Sequence, residues 1–284
     1  MKILVCFENR VRPDSTGGYF LTAFKSLGHE VTHVLPENIM DVKPGSYDFY
    51  FKCDDGIYSP WNEKLSPSAY YCIDSHIETD WRLKIEEQGN FDHVYVCHRD
   101  GLQLPWVCKN ITWLPVACDP EAHYAGKAQK KYDTCFIGNF HSQYAGRRVD
   151  MVDELFRCTP NFFFGNRTFR DMAKKYAESK IVFNCSLNND ANMRVFEAMC
   201  SGSCLLTDRV QDLTALGFVE GVHYEGYKDA EELRKKVYML LGKDDYRESL
   251  AENARTYVLS KHTYAHRCEV ILSQVKEKEL CPLP

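Results

Sequence analysis

Short apolar runs alternate with amphipathic stretches along this chain, the grammar of a parallel α/β sheet whose strands are buried on both faces. In the first half, residues 3–7 predict a strand. The loop 9–18 follows, and Phe20, Leu21, Phe24 and Leu27 predict a helix that ends at Gly28. Residues 31–35, 48–51, 69–73 and 94–97 predict further strands, with a helix over about 77–87 between the last two, and 111–116 closes the half.

The second half restarts in the same way. A strand is predicted over 134–137, then a helix over 143–157 with Val149, Val152, Leu155 and Phe156 on its apolar positions, then a strand over 161–164 ending at Gly165. Thr168 with Asp171 reads as a capping box for a helix buried through Phe169, Met172, Ala173 and Tyr176. Strands over 181–183 and 204–206 flank a short helix around Glu197, Asp229 with Glu232 caps another helix, and helices from Asp244 and Thr263 finish the chain. The fold class is therefore α/β. Two βα arrays joined by 115–126 predict two Rossmann-like, doubly wound domains facing a cleft, 1–118 and 119–262, followed by a terminal helix over 263–284.

Composition narrows this picture. The 284 residues suffice for two domains of about 100–150 residues each. A hydrophobic share of 44% beside 26% charged residues is that of a globular chain. The formal charge of −5 gives no global attraction to nucleic acid or anionic lipid, so a polyanionic acceptor would need a local basic patch. The longest basic run, 126–131, reads as a solvated interdomain loop. The 13 cysteines are scattered through apolar runs without a Cys-x-x-Cys pair, and they read as reduced, mostly buried thiols. The first apolar run is too short for a signal peptide, and no segment approaches the roughly 20 apolar residues that span a bilayer. A cytoplasmic protein without a membrane span is expected.

The densest chemistry lies in Asn192-Met193-Arg194-Val195-Phe196-Glu197-Ala198-Met199-Cys200-Ser201-Gly202, just before the run Cys204-Leu205-Leu206. A carboxylate inside Phe-Glu-Ala-Met must find a donor, since an unpaired charge there costs several kcal/mol. Ribose hydroxyls are one natural partner for Glu197. Arg194, near a helix N-terminus that already favours anions, suits a diphosphate. The plainer alternative is an ion pair between the two at spacing i, i+3.

This segment resembles the C-terminal donor half of GT-B glycosyltransferases, and its Asn-Met-Arg-x-Phe-Glu-Ala-x-x-x-Gly wording is most similar to the spore-maturation, CgeB-type branch. The resemblance covers 132–264 well and the first half loosely. It implies a GT-B architecture, a last helix that crosses back onto the first domain, and transfer of a hexosyl or pentosyl group from a nucleoside diphosphate sugar without metal or cofactor. An ordinary terminal helix packing through Val270, Ile271 and Val275 is the alternative for 263–284. In the wider retaining families the Glu corresponding to Glu197 grips the ribose, and another Glu eight positions earlier lies near the transferred sugar. Here that position is Asn189, which leaves the nucleotide assignment intact and the retaining stereochemistry open. Gly138 and Asn139, in the Phe-Ile-Gly-Asn loop, and Arg147 beyond it resemble the family's Phe-x-Gly loop, whose glycine lets backbone approach the phosphates. Read without the resemblance, Gly138 is a turn glycine and Arg147 and Arg148 are surface cations.

Ligands of open α/β sheets bind beyond the carboxyl ends of the strands, which picks out Gly138-Asn139, Gly165-Asn166 and Asn184; Asn184, and Asn192 at the start of the Glu197 motif, join the donor side. In the first domain, Ser15-Thr16-Gly17-Gly18 opens a helix and either meets the acceptor or sugar through backbone N–H groups or is a plain strand-to-helix turn. Asp54-Asp55-Gly56 reads as a turn, and no metal is invoked. Asp74 and His76, two apart after a strand, are the catalytic candidates. An Asp that orients an imidazole makes a general base for an acceptor hydroxyl, as an inverting transfer requires, while an N-cap at Asp74 is the structural alternative. His98-Arg99-Asp100 is a weaker choice. The leading expectation is a glycosyltransferase acting on a protein, glycan, metabolite or modified nucleic acid. A sugar-nucleotide epimerase or hydrolase of the same shape, and a non-catalytic nucleotide-sugar-binding module, are the alternatives.

Overall fold

The computed structural model describes residues 1–11, 14–54, 60–73, 91–138, 146–187 and 189–280. The chain divides into two compact units, Met1–Pro115 with Tyr264–Pro284, and Val116–Thr263.

The first unit holds six parallel strands in the order β2-β1-β3-β4-β5-β6: β1 Lys2–Cys6, β2 Glu30–Val34, β3 Phe49–Cys53, β4 Ser68–Cys72, β5 His93–Val96 and β6 Ile111–Trp113. All residues of β3 and β4 are buried, as strands covered on both faces require. Alternation sorts their side chains. On one face Phe51 and Tyr71 meet Phe20 of helix Thr16–Ser26 at ring separations of 4.9 and 4.7 Å. On the other, Tyr50 and Tyr70 join Trp61, Leu65 and Phe91. The last helix, Tyr264–Leu280, packs in this unit. Tyr264 stacks on Tyr19 at 5.2 Å, Arg267 Nε donates to Pro115 O at 2.7 Å, and Tyr95 Oη donates to Gln274 Oε1 at 2.6 Å.

The second unit holds five parallel strands in the order β11-β10-β9-β7-β8: β7 Tyr132–Ile137, β8 Phe162–Gly165, β9 Ser179–Phe183, β10 Cys204–Asp208 and β11 Glu225–Tyr227. Its core gathers Phe136, Leu155, Ile181, Phe183, Leu206, Tyr227, Leu233 and Val237. In both sheets the unit's first strand lies between its second and third, so the chain winds outward in opposite directions from that point. A crevice opens there at the carboxyl ends, between β1 and β3 in one unit and between β7 and β9 in the other. Among the described residues no helix is long and apolar enough to cross a membrane. All described cysteines are free, and all but Cys108 are buried.

Each predicted strand is present with its ends displaced by a few residues. The strand expected over 111–116 stops at Trp113, because Pro115 has no N–H to offer a ladder. Strand β11 is absent from the apolar pattern: it reads Glu-Gly-Tyr, and its buried Glu225 is held by Lys236 and Tyr246. The Asp229 cap forms, accepting from Glu232 N at 2.9 Å. The expected capping box at Thr168 does not, for Thr168 makes no side-chain cap bond. Phe169, the first residue of that helix, has φ 48° and turns the chain in at an angle a regular cap does not share. The run 126–131 is not simply solvated either. Lys130 Nζ donates to Ala177 O and Ser179 O at 2.9 Å, tying off the end of helix Phe169–Ala177, and burial pulls its pKa down. On helix Gly146–Cys158 the expected inward Phe156 is exposed, and Arg148 is buried in its place. The expected helix over 77–87 and the residues Asp55 and Gly56 lie outside the described residues.

Gly17 is fixed by packing. A Cβ at that position would lie 2.2 Å from Phe7 Cγ, whereas one at Gly18 would find only Ser15 Oγ at 3.9 Å. Gly17→Ala is expected to destabilise the protein by about 1–3 kcal/mol through overpacking, and Gly18→Ala to stabilise it by up to about 1 kcal/mol through helix propensity. Urea denaturation of the two variants measures the contrast, and equal midpoints would show that Phe7 yields.

Candidate functional site

The β7–β9 crevice of the second unit is bridged by one side chain. Arg194, on helix Met193–Cys200, donates from Nε to Ile137 O at 2.8 Å, the last carbonyl of β7, and from Nη1 to Asn184 Oδ1 at 2.6 Å, just past β9. Its guanidinium lies 4.3 Å from the centre of the Phe136 ring, close enough for a cation–π contact. Gly138 makes room for it: a Cβ there would fall 2.2 Å from Arg194 Nη2. The hydrogen bonds of Arg194 thus run to the strand ends.

Asn184 is itself fixed from several sides. Its N–H donates to Leu206 O at 2.8 Å, its Nδ2 to Thr207 Oγ1 at 2.9 Å, and its carbonyl accepts from Tyr227 Oη at 2.9 Å. Asn192 Nδ2 reaches the same Oδ1 at 3.1 Å, while Asn192 Oδ1 is buried with no hydrogen-bond partner among the described residues. Asn192 therefore faces the crevice and does not cap its helix.

Two more cations flank the site. Arg147 Nη1 meets Asp208 Oδ2 at 2.9 Å, and Asp208 also accepts from Ser186 N at 2.9 Å and Ser186 Oγ at 2.5 Å. Burial opposes the Arg147 charge, but the bond to Asp208 outweighs it and raises the pKa. Arg148 was expected at the surface and is buried, with Nε donating to Cys185 O at 2.9 Å. Burial, and then the charge of Arg194, pull its pKa down to about 10. A helical signal for this was present in the sequence. Arg148 lies four residues before Val152 and seven before Leu155, on the same inward stripe.

Glu197 follows Arg194 by three residues and is 9% exposed, its neighbours Phe196 and Ala198 fully buried. The Tyr176 hydroxyl is buried and has no hydrogen-bond partner among the described residues; burial first, then the Glu197 charge, drive its pKa well up. Asn189 is exposed with φ 56°, a left-handed conformation that Asn enters more easily than most residues. In the first unit, Ser15 precedes helix Thr16–Ser26 without a side-chain cap bond, Thr16 and Gly17 are buried, and Gly18 N donates to Ser15 O at 3.0 Å. The structure thus brings Gly138, Asn184, Asn192 and Arg194 together, with Glu197 on the same helix. Asp74, His76 and Asn139 lie outside the described residues.

Residues 143–273 match a family model described as glycosyl transferase-like. No curated protein matches the chain. Among solved structures, a sucrose-phosphate synthase from Thermosynechococcus elongatus is similar at TM-score 0.67 and 11% identity, over 98% of this chain and 100% of the other. An α-glucosyltransferase in complex with UDP and a 13-mer DNA aligns at TM-score 0.71 and 11% identity, over 97% and 99%. Anabaena HepE in complex with UDP and glucose aligns at TM-score 0.63 and 14% identity, over 96% and 100%. At these identities the likeness is one of fold.

Asn184 is the joint of the site, so replacing it by the similarly sized Leu takes the acceptor from Arg194 Nη1 and Asn192 Nδ2 at once, while the Thr207 hydroxyl keeps its bonds to Asp208. Asn184→Leu is expected to cost on the order of 1–3 kcal/mol. Denaturant unfolding measures this, and an unchanged midpoint would mean that Arg194 holds its place through Ile137 O alone.

Proposed function

We infer, from a glycosyl transferase-like domain on a GT-B fold, that the chain is a glycosyltransferase that moves a sugar from a nucleoside diphosphate sugar to an acceptor hydroxyl. The observation that carries this reading is a cation fixed across the β7–β9 crevice one helical turn from a buried carboxylate. A nucleoside diphosphate offers the complement to both. Its phosphates take the Arg194 guanidinium, for which the absence of a side chain at Gly138 makes room, and its ribose hydroxyls donate to Glu197.

During transfer the anomeric carbon loses its bond to the diphosphate oxygen as a bond to the acceptor oxygen forms. Negative charge grows on the departing diphosphate, and Arg194 and Arg148 stabilise it without rearranging. This needs no metal. Asp74 and His76 are assigned to the acceptor: in an inverting transfer His76 takes the hydroxyl proton and Asp74 orients the imidazole. Asn139 and Arg147 join the donor side, and Ser15, Thr16, Gly17, Gly18 and Asn189 the acceptor or sugar side. The proposal extends to the CgeB-type branch, which the helix wording resembles, and to a cytoplasmic hexosyl- or pentosyltransferase. Two of the similar proteins were solved with UDP, which makes a uridine nucleotide the first donor to test.

Calorimetric titration with nucleoside diphosphates tests the reading. Glu197→Gln is expected to weaken binding by about 1–3 kcal/mol with the fold intact, since it removes charge-assisted bonds and keeps the side chain's shape. Arg194→Ala is expected to weaken nucleoside diphosphate binding far more than nucleoside binding. Equal losses for both ligands would indicate a damaged fold, and unchanged affinity in Glu197→Gln would return that residue to a structural role. Release of nucleoside diphosphate with no acceptor present would mark a hydrolase instead.

A further inference from the structure

The hydrogen bonds around Arg194 fix which way three side chains face, and they leave one acceptor over. A guanidinium can only donate, so the Asn184 atom 2.6 Å from Arg194 Nη1 is its oxygen, and the amide nitrogen of Asn184 goes to Thr207 Oγ1 at 2.9 Å. Asn192 meets that same oxygen at 3.1 Å and must present its own nitrogen to it. The orientation of Asn192 is therefore set from Arg194 through Asn184, and its side-chain oxygen is turned the other way. That oxygen is buried and has no hydrogen-bond partner among the described residues. It is not spent on the helix that Asn192 precedes, for the side chain makes no cap bond there and only the main-chain Asn192 O accepts, from Val195 N at 3.1 Å. A buried carbonyl without a donor costs free energy, and a donor that comes with a ligand recovers it.

We propose that Asn192 is a specificity-determining residue for the donor, its Oδ1 accepting a hydrogen bond from a hydroxyl of the transferred sugar. The assignment rests on the proposed function and deepens it by naming the part of the nucleotide sugar that this side chain reads. Two exclusions lead to the sugar. Phosphate oxygens are acceptors and cannot satisfy a carbonyl. Ribose hydroxyls go to Glu197, which lies further along the chain than Arg194, on the side away from Asn192. In the donor the diphosphate joins ribose to sugar, so Glu197, Arg194 and Asn192 follow the order ribose, diphosphate, sugar along one segment. Support of Asn184 alone leaves the Asn192 oxygen without a purpose, since Asn184 Oδ1 already has Arg194 as a donor. Asn192 as a residue is half-buried, at the edge of the crevice and not in the core, which leaves it within reach of a ligand that displaces its cover. Sugar reading is thereby built into the phosphate-holding network: the Asn184 oxygen that positions the guanidinium also positions the amide.

Calorimetry on the full chain tests this. The wild type is first titrated with UDP-glucose, UDP-galactose, UDP-N-acetylglucosamine, GDP-mannose and ADP-glucose, and the tightest of them serves as the probe beside its own nucleoside diphosphate. Binding of none of the five, and of none of UDP, GDP and ADP, overturns the functional reading itself. Asn192→Leu keeps the size of the side chain, removes the acceptor and leaves the bond between Asn184 and Arg194 in place. It is expected to raise the nucleotide-sugar Kd about tenfold, the scale of one buried hydrogen bond, with nucleoside diphosphate affinity unchanged. Fluorine in place of a hydroxyl is of similar size and cannot donate, so the deoxyfluoro analogues of the probe locate the contact. One analogue is expected to bind the wild type about tenfold more weakly than the parent sugar, and to bind N192L as well as the parent does. Wild-type affinity for the nucleotide sugar in N192L, equal losses for sugar and diphosphate probes, or fluorine penalties that all persist in N192L overturns the sugar-reading role while leaving the nucleotide site in place. If N192L does not fold, N192S, which removes the amide oxygen at smaller size, takes its place under the same criteria.

Discussion

Arg194 joins the carboxyl ends of β7 and β9 through two hydrogen bonds, and the remaining side chains of the site are arranged around that join. Neither strand end could be spanned by a short polar residue. A guanidinium has the reach, and its planar fork presents donors to a main-chain carbonyl and to an amide oxygen at once. The named acceptors, Ile137 O and Asn184 Oδ1, are both neutral. These two bonds thus fix the guanidinium without themselves cancelling its charge, which suits the proposed diphosphate site.

The neighbouring cations divide along the same line. Arg147 is paired with Asp208, and Asp208 in turn fixes the Ser186 loop, so that pair stiffens the rim. Arg148 is buried close enough to Arg194 for their repulsion to depress its pKa, and both guanidinia lie over the Phe136 ring, at 5.9 and 4.3 Å. Burying Arg148 beside the half-buried Arg194 costs free energy. Under the proposed function, a diphosphate beside them would offset part of that cost. Local inconsistency of this kind is what a functional site looks like within an otherwise consistent fold.

The sheets were legible because their strands are nearly unbroken apolar runs, and runs such as Ile3-Leu4-Val5-Cys6 or Cys204-Leu205-Leu206 admit few other readings. What escaped was decided by tertiary partners. Glu225 enters a strand because Lys236 and Tyr246 satisfy it, and nothing within Glu-Gly-Tyr announces them. Lys130 turns inward to reach carbonyls some forty-seven residues away in sequence. Arg148 looked like half of a surface pair with Arg147, although helical phase alone separates them: one residue of rotation, about 100° at 3.6 residues per turn, sends Arg147 outward and Arg148 onto the Val152–Leu155 stripe. Glu197 and Arg194 could be singled out because a charge in an apolar helix demands a partner.

Asn189 shows how backbone geometry and chemistry meet in one position. The retaining families that this helix resembles place a Glu there, near the transferred sugar; under the proposed function, this chain offers an Asn at that position instead. The structure adds a conformational reason for the type of residue: at φ 56° a long, unbranched acidic side chain gains nothing locally, whereas Asn tolerates left-handed backbone at little cost. The loop between β9 and helix Met193–Cys200 is therefore shaped first by its turn and only then by what its side chain offers the sugar. Glu197, four residues along a buried helix from the Met193 start, has no such freedom, and its carboxylate is retained where the backbone is regular. Under the proposed function, nucleotide recognition accordingly falls to the helix and strand ends, and the sugar-facing chemistry to the loop before that helix.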